Sequence, residues 1–263
     1  MIAPLTVRLL HAAAARAGEP GGLAFTERQL YYELCRLLRP WHHVPRRVPF
    51  TVAPILSYSD FKVALARAGD VPGLLPAPVP AGPVGRHTPE PDLFDYGLPR
   101  LLVCEPPGIA HMLRANGLPM ESACPVFDAG ELPLDPRLGD MLVRGEGTVY
   151  LLHDASAAGL TFPARLRELT DLPAGVRVVA LGLRPRQAAP LHLVHGRGPV
   201  STPDVPVTAW EAAWLARGRF TELAAVRPAV LLRTVHRLVR EVRSVRPQWS
   251  TGRDVGFLTW PAA

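Results

Sequence analysis

Two acidic residues each follow a short apolar run in the second half of the chain. Glu105 comes directly after "LLVC", and Asp154 lies two residues after "VYLL". If these runs are parallel strands of one sheet, both carboxylates lie at its carboxyl edge, where such sheets bind ligands. Carboxylate oxygens are preferred ligands of Mg²⁺, so the pattern indicates a magnesium site. The alternative is a pair of solvated loop acids that cap the following helices, and spacing alone favours that alternative.

Two adjacent tyrosines stand in "FTERQLYYELCR", residues 25–36. Thr26, with Gln29 three residues later, predicts a capping box that starts a helix. Tyr31 flanks the apolar face of this helix, whereas Tyr32 lies about 200° round from Leu30 and is expected to point away from the core. The apolar face itself consists of Leu30, Leu34, Leu37 and Leu38.

The prolines divide the chain into three parts, which predict an α/β fold. Residues 71–99 have prolines every few positions, which indicates an extended linker. Residues 1–70 predict a helical domain, with one helix over 5–17 and another that ends at Gly69. Helices joined by a basic turn suggest a helix-turn-helix or winged-helix module. Residues 100–263 alternate strands with helices, which implies a doubly wound parallel sheet. Its strands are expected at 101–104, 149–152 and 176–183.

Composition narrows the cellular setting. The chain of 263 residues is 48% hydrophobic, yet it has no apolar run long enough to span a membrane. Arg8 and Arg16 interrupt the apolar start, so we interpret it as an amphipathic helix, with a transit peptide as the alternative. Three cysteines without a CxxC pattern predict buried free thiols. We therefore expect a cytoplasmic protein without membrane contact.

The charge balance favours a polyanionic partner. The net charge is +6 and the pI about 9.8, which is typical of proteins that bind nucleic acid. Arginine-rich coding by a GC-rich genome would give the same surplus, because a single lysine is present. The candidate DNA contacts are Arg46, Arg47, Lys62 and Arg67.

Four segments in this order resemble the A subunit of topoisomerase VI and its relatives, which include the meiotic double-strand-break transesterase and phage, plasmid and defence proteins. "FTERQLYYELCR" is similar to the family's T-x-R-x-L/I-Y-Y segment. "LLVCE" and "LLHDASAAGL" are similar to its metal-binding glutamate and its D-x-D-x-x-G motif. "FTELAAVRPAVLLRTVHRLVR" resembles a terminal helical segment. The resemblance covers about residues 22–70 and 100–240.

The resemblance implies a winged-helix domain followed by a Toprim domain that acts on DNA. Tyr32 takes the position of the tyrosine that attacks a phosphodiester, and Arg28, one turn earlier, could hold a phosphate. Glu105 and Asp154 take the positions of acids that bind Mg²⁺. Ser156 stands where the second aspartate belongs. The family commonly forms dimers, so we expect a homodimer or a subunit of a larger DNA-processing complex.

Departures from the family pattern leave two functions open. Ser156 offers a neutral oxygen and Ala224 replaces another acid, so we expect a weakened Mg²⁺ site. One function is tyrosine transesterification of DNA through Tyr32. The other, slightly favoured, is a catalytically inactive DNA-binding or scaffold component of a DNA-processing or plasmid and phage defence complex. His153 is either a ligand beside Asp154 or a strand-end histidine held by the backbone.

A third hypothesis is a helical regulator fused to a Rossmann-like ligand domain. It ranks last, because "CEPPGIA" lacks the glycines that let a backbone approach a pyrophosphate closely.

Overall fold

The structure, a computed structural model, describes residues 2–39, 47–78 and 97–240, with side chains from residue 7 onward. The first part contains α1 (Ile2–Ala17), α2 (Glu27–Leu38) and α3 (Tyr58–Ala68). The second part begins with β1 (Arg100–Cys104), α4 (Pro107–Ala115), α5 (Leu118–Ser122), β2 (Val126–Asp128), α6 (Pro136–Arg144), β3 (Thr148–Leu152), α7 (Ala157–Leu169) and β4 (Arg177–Gly182). It continues with α8 (Pro185–Ala188), β5 (Gly196–Arg197), α9 (Ala209–Leu215), β6 (Arg219–Phe220) and α10 (Pro228–Val239).

Four parallel strands form the central sheet, in the order β2-β1-β3-β4. The pairing places Leu102 of β1 beside both Val126 of β2 and Tyr150 of β3. The chain winds outward from β1 to β2 in one direction and from β3 to β4 in the other. The point where the winding reverses therefore lies between the carboxyl ends of β1 and β3, and this is where ligands of open α/β sheets bind. The predicted α/β class with a parallel sheet flanked by helices is confirmed.

The two faces of the sheet support two apolar cores, because alternate strand residues point to opposite sides. Leu102 and Tyr150 face the larger core, which includes α4, α10 and the three N-terminal helices. Leu101 and Val149 face the smaller core, which is closed by α6 and α7. The N-terminal helices thus share a core with the sheet.

Backbone hydrogen bonds also join the N-terminal part to the rest of the chain. The amide of Val52 donates to the Leu193 carbonyl at 3.0 Å, and His195 donates back to Val52 at 2.8 Å. Within the N-terminal part, Phe25 donates to Gly73 at 2.9 Å and accepts from Leu75 at 2.9 Å. The start of the predicted linker therefore pairs with the strand-like stretch before α2, and residues 79–96 lie outside the described ranges.

Helix α2 is buried on its polar side as well as on its apolar side. Glu33 is 0% exposed and lies 2.9 Å from Arg36, 3.3 Å from Arg227 and 3.4 Å from Arg16. Arg36 also donates to the Ala225 carbonyl at 2.6 Å. A buried carboxylate is tolerated only when cations and donors surround it, and here they come from α1, α2 and the segment before α10.

This packing overturns one expectation from the sequence. Tyr32 was expected to point away from the core, yet its side chain is 3% exposed and belongs to the larger core. The helical periodicity was correct, but the side of α2 opposite the leucines faces the turn at Leu223–Ala225 and not solvent. The predicted capping box is confirmed, because Thr26 and Gln29 each bond the other's backbone amide at 3.0 and 3.2 Å.

Most predicted elements are present, but strand β2 of the central sheet and the two-residue strands β5 and β6 were not predicted. The predicted end of a helix at Gly69 is confirmed, and this residue adopts φ +72°, which glycine tolerates best. The three predicted strands correspond to β1, β3 and β4, and the three cysteines are free and buried. Strand β2 has only three residues, too few for an apolar pattern to indicate it.

Glu33→Gln is expected to lower the free energy of unfolding by about 3–5 kcal/mol, because it leaves the surrounding arginine charges without their buried partner. Urea unfolding followed by circular dichroism measures the change. Glu168→Gln, on the exposed side of α7, is the matched control and should change stability by less than about 0.5 kcal/mol. Equal effects of the two substitutions would contradict the structural role of Glu33.

Candidate functional site

The carboxyl ends of β1 and β3 bring the two predicted acids together. Glu105 directly follows β1, and its Oε2 accepts a hydrogen bond from the Asp154 amide at 2.9 Å. Asp154 follows β3, and its Oδ1 accepts from the Leu223 amide at 2.7 Å. Both carboxylates therefore lie at the point where the winding of the sheet reverses, as the sequence predicted.

Helix α7 begins immediately beside this pair and approaches it closely. The Ser156 hydroxyl caps the helix by accepting from the Gly159 amide at 2.9 Å. A Cβ on Gly159 would lie 2.2 Å from the Asp154 carbonyl oxygen and 2.9 Å from Glu105 Oε2. Only glycine fits at this position without displacing the Glu105 carboxylate. Ser156 thus lies near the acids, but its hydroxyl oxygen already accepts the hydrogen bond that caps α7.

Arg28, on the first turns of α2, reaches the same edge and is held there by a carboxylate. Its Nε lies 2.7 Å from Glu222 Oε2, and its Nη2 contacts the other oxygen of Glu222. The guanidinium carbon lies 4.2 Å from the Tyr58 ring centre and 5.8 Å from those of Tyr31 and Tyr32. A bidentate pair stacked on aromatic rings is a strong arrangement, so Arg28 is committed to Glu222 in this conformation.

Tyr32 lies under Arg28 with its phenol shielded from solvent. Burial raises the pKa of its hydroxyl above the ordinary value, while the Arg28 charge lowers it. Tyr31 and Asp154 also raise the pKa of Tyr32 through their charges. The neighbouring Tyr31 hydroxyl donates to the Leu56 carbonyl at 2.8 Å. Tyr32 is therefore protonated at neutral pH and too buried to meet a duplex.

The acids are held in a setting that disfavours their charge. Burial raises the pKa of Asp154 to about 6; the Leu223 amide and Arg28 lower it, and the Glu105 charge raises it. Burial also raises the pKa of Glu105, against the hydrogen bond from the Asp154 amide. Carboxyl groups kept in such settings are frequent at functional sites.

A pocket of about 410 Å³ opens beside these residues, within the roughly 300–1,000 Å³ range of small-ligand sites. Its walls are the starts of α2 and α4, one side of α3 and residues 74–78. The charged groups are mixed, since Arg28 and Lys62 face the pocket together with the acids Glu27, Asp154 and Glu222. The pocket is neither strongly cationic nor strongly anionic.

The donors at this edge fit Mg²⁺ only in part. Across the described ranges, no group of three or more His, Cys, Asp and Glu side chains is arranged to hold a metal ion. One oxygen of Glu105 and one of Asp154 already accept backbone amides, and the Ser156 hydroxyl caps α7. Glu105 and Asp154 would hold Mg²⁺ through their remaining carboxylate oxygens, and the ion would supply positive charge beside a bound phosphate.

The predicted DNA contacts do not gather at the pocket as a set. Lys62 lies at its rim with a side chain 60% exposed, 4.0 Å from Glu27. Arg47 and Arg67 are exposed elsewhere on the surface, and Arg46 lies outside the described residues. The structure therefore brings together Tyr32, Arg28, Glu105, Asp154 and Lys62.

Two features of the site could not be assigned from sequence. The sequence places Glu222 in a segment that resembles the family but does not indicate its role, because its partner Arg28 lies 194 positions away. The sequence predicts only that Tyr58 lies at the start of a helix, and not that its ring packs against Arg28. His153 is buried, and its Nδ1 lies 2.9 Å from the Asp154 carbonyl, which fits the histidine held by the backbone.

No protein-family model, curated protein or solved structure matches the chain significantly. Among the described residues, no helix combines the length and apolar character that a membrane span requires.

Asp154→Asn is expected to stabilise the protein by about 1–3 kcal/mol at pH 7.5 and to have little effect at pH 4. The folded-state pKa of about 6 exceeds the ordinary value, so the folded state binds more protons between the two values. Stability contributed by this group is present at low pH and is lost as the pH rises through about 6. Asparagine does not titrate and keeps an oxygen for the Leu223 amide.

Urea unfolding in EDTA at both pH values measures this difference. Asp140→Asn, at an exposed position of α6, is the control and should change stability equally at both. A stabilisation by Asp154→Asn that is independent of pH would contradict the assigned environment.

Proposed function

We propose that the protein is a Toprim-like DNA-binding component that does not cut DNA in the described conformation. The convergence of Tyr32, Arg28, Glu105 and Asp154 at the reversal point of the sheet is the observation that carries this proposal. Arg28 and Asp154 lie 126 positions apart in the chain, yet both line one pocket. Glu105 is hydrogen-bonded to the Asp154 amide, and the Tyr32 ring lies beside Arg28. The net charge of +6 adds support for a polyanionic partner.

The topology supports the Toprim-like part of the proposal. A parallel sheet in the order β2-β1-β3-β4 carries one acid after its first strand and another after its third. Helices α2 and α3 line the pocket at the edge where Asp154 lies, which is consistent with a winged-helix-like domain placed over a Toprim-like one.

Three features favour binding without cleavage. The nucleophile must come within roughly 3–3.5 Å of the phosphorus atom, and Tyr32 at 3% exposure has no such access. Arg28 pairs with Glu222 and is not free to hold a phosphate. The two carboxylates alone hold a divalent cation weakly.

Cleavage is the second candidate, favoured by Arg28, which lies over the Tyr32 ring and lines the same pocket as Asp154. It would require the pair between Arg28 and Glu222 to separate and Tyr32 to leave its buried position. The Tyr32 oxygen would then form a bond to phosphorus while the bond from phosphorus to the 3′ oxygen breaks. Asp154 would accept the phenol proton, and the 3′ oxygen would leave as a hydroxyl after taking a proton from water. Bound Mg²⁺ would stabilise the negative charge on the phosphate.

Lys62→Gln is expected to weaken binding of a short DNA duplex several-fold at low salt and to reduce the slope of log K against log salt by about 1. The reason is that Lys62 is the exposed cation at the pocket rim. Fluorescence anisotropy with a labelled duplex over a salt series measures both quantities.

Arg177→Gln is the matched control, because Arg177 is an exposed cation at the start of β4, on the opposite edge of the sheet. It should leave the affinity nearly unchanged. Equal losses for the two variants would place DNA away from the pocket and remove the main support for the proposal.

Wild-type protein is expected to form no covalent adduct with supercoiled or linear DNA in Mg²⁺ or Mn²⁺, and Tyr32→Phe should bind DNA with wild-type affinity. Denaturing gels of end-labelled DNA detect a phosphotyrosyl adduct, and Glu222→Gln tests whether opening the Arg28 pair permits one. An adduct that requires Tyr32 would establish cleavage and reject the non-cutting version. A Glu222→Gln adduct that Tyr32→Phe abolishes would identify this ion pair as the barrier.

A further inference from the structure

A two-stranded antiparallel ribbon beyond β4 presents a polar face that the proposed function does not use. In this ribbon Arg197 of β5 stands directly opposite Arg219 of β6. Because strand residues alternate, His195 and Thr221 share this face with the two arginines. The other face carries the Phe220 ring.

The ribbon is held in place on both sides. The Ala155 and Thr221 backbones exchange hydrogen bonds at 2.8 and 3.0 Å, which ties β6 to the end of β3. Trp214 of α9 lies edge-on to His195, with ring centres 6.5 Å apart, and its Nε1 donates to the Thr51 hydroxyl at 3.1 Å. The polar face therefore has a fixed aromatic wall.

Three polar atoms on this face are buried and have no hydrogen-bond partner in the described part of the chain. They are His195 Nδ1, Arg219 Nε and Thr221 Oγ1. His195 is 4% exposed and Thr221 is 0% exposed. Buried polar atoms are almost always paired, so three unpaired atoms on one face indicate a ligand or ordered water that bonds them together.

The charge on this face is positive. Two like charges placed directly opposite each other on a ribbon are unfavourable, and neither Arg197 nor Arg219 forms an ion pair within the described residues. Glu211, the acid of the adjoining helix α9, is 0% exposed and pairs with Arg184 at 2.9 Å. An anion would relieve the repulsion between the two arginines.

The surroundings of His195 determine its protonation state. Burial and the charges of Arg219 and Arg197 lower the pKa of His195 to about 4, while a hydrogen bond with the Thr51 backbone opposes this shift. The imidazole is therefore neutral near pH 7 with Nδ1 available. An anion bound beside it would favour protonation, so that Nδ1 could donate as well.

We propose that this face binds a phosphate group, with donors from Arg219, Arg197 and Thr221, beside the His195 ring. A phosphate offers several oxygens that can accept hydrogen bonds from arginine and hydroxyl groups at once. This site does not involve Tyr32 or the acid pair, so it stands independently of the proposed function. The phosphate belongs either to a nucleic-acid backbone or to a free anion, and the experiment separates these sources.

The test is thermal unfolding of the full chain with increasing inorganic phosphate, at an ionic strength held constant with chloride. Binding to the folded state raises Tm with phosphate concentration. Arg219→Gln is expected to abolish this rise, whereas Arg177→Gln, which removes an exposed arginine from β4, should retain it. No rise in wild-type protein, or an equal rise in Arg219→Gln, would overturn the site.

Thr221→Val gives a second test that does not depend on the stability of the arginine variant. Removing an unpaired buried hydroxyl should raise the Tm without phosphate, while the rise caused by phosphate should shrink. If Thr221→Val leaves the phosphate response at the wild-type level, phosphate does not bind at this hydroxyl, and the proposed site is wrong.

A short DNA duplex, at phosphate-group concentrations matched to the inorganic anion, distinguishes the two sources. Stabilisation by duplex that exceeds that by inorganic phosphate and is lost in Arg219→Gln supports the proposal, with nucleic acid as the source. Stabilisation by inorganic phosphate that is lost in Arg219→Gln, with no greater effect of duplex, supports it with a free anion as the source. Lys62→Gln leaves this face intact. The DNA-binding test of the pocket and the phosphate test of the ribbon can therefore fail independently of each other.

Discussion

A single buried carboxylate determines how the N-terminal helices sit on the sheet. Glu33 is inaccessible to solvent, and its charge is balanced by arginines from three separate segments of the chain. A carboxylate in such a place is strongly unfavourable unless its partners arrive in good geometry. This requirement orients α2 about its own axis and brings α1 and the start of α10 against it. The apolar residues of α2 pack into the larger core in the same orientation.

That orientation decides what the second face of α2 can do. With Glu33 turned toward the start of α10, Arg28 and Tyr32 face the carboxyl edge of the sheet. Arg28 meets Glu222 there, and its guanidinium covers the tyrosine rings. The residues suited to phosphate chemistry are thus assembled and at the same time closed off. A binding protein tolerates this arrangement, whereas a transesterase would have to open it in every cycle.

The sequence was sufficient for the parts of the fold that depend on local patterns. Strands β1, β3 and β4 have continuous apolar runs, and the capping box at Thr26 marks the start of α2 by itself. The acid pair was also predictable, because parallel strands place the residues that follow them at one edge. The burial of Tyr32 was not, since the polar side of α2 is buried by partners about 190 positions away. The role of Glu222 could not be predicted for the same reason, because no short-range pattern indicates that the stretch before α10 packs against α2.

The ion pair between Glu33 and Arg227 spans 194 positions of the chain. During synthesis on the ribosome, α2 emerges well before Arg227 and the Ala225 carbonyl, two of the groups that its buried side needs. Until those groups emerge, the polar side of α2 lacks part of its native cover, so the final docking of the helix has to wait for the segment before α10. Because these contacts join residues far apart in the chain, the docking of α2 is expected to be slower than closure by local contacts.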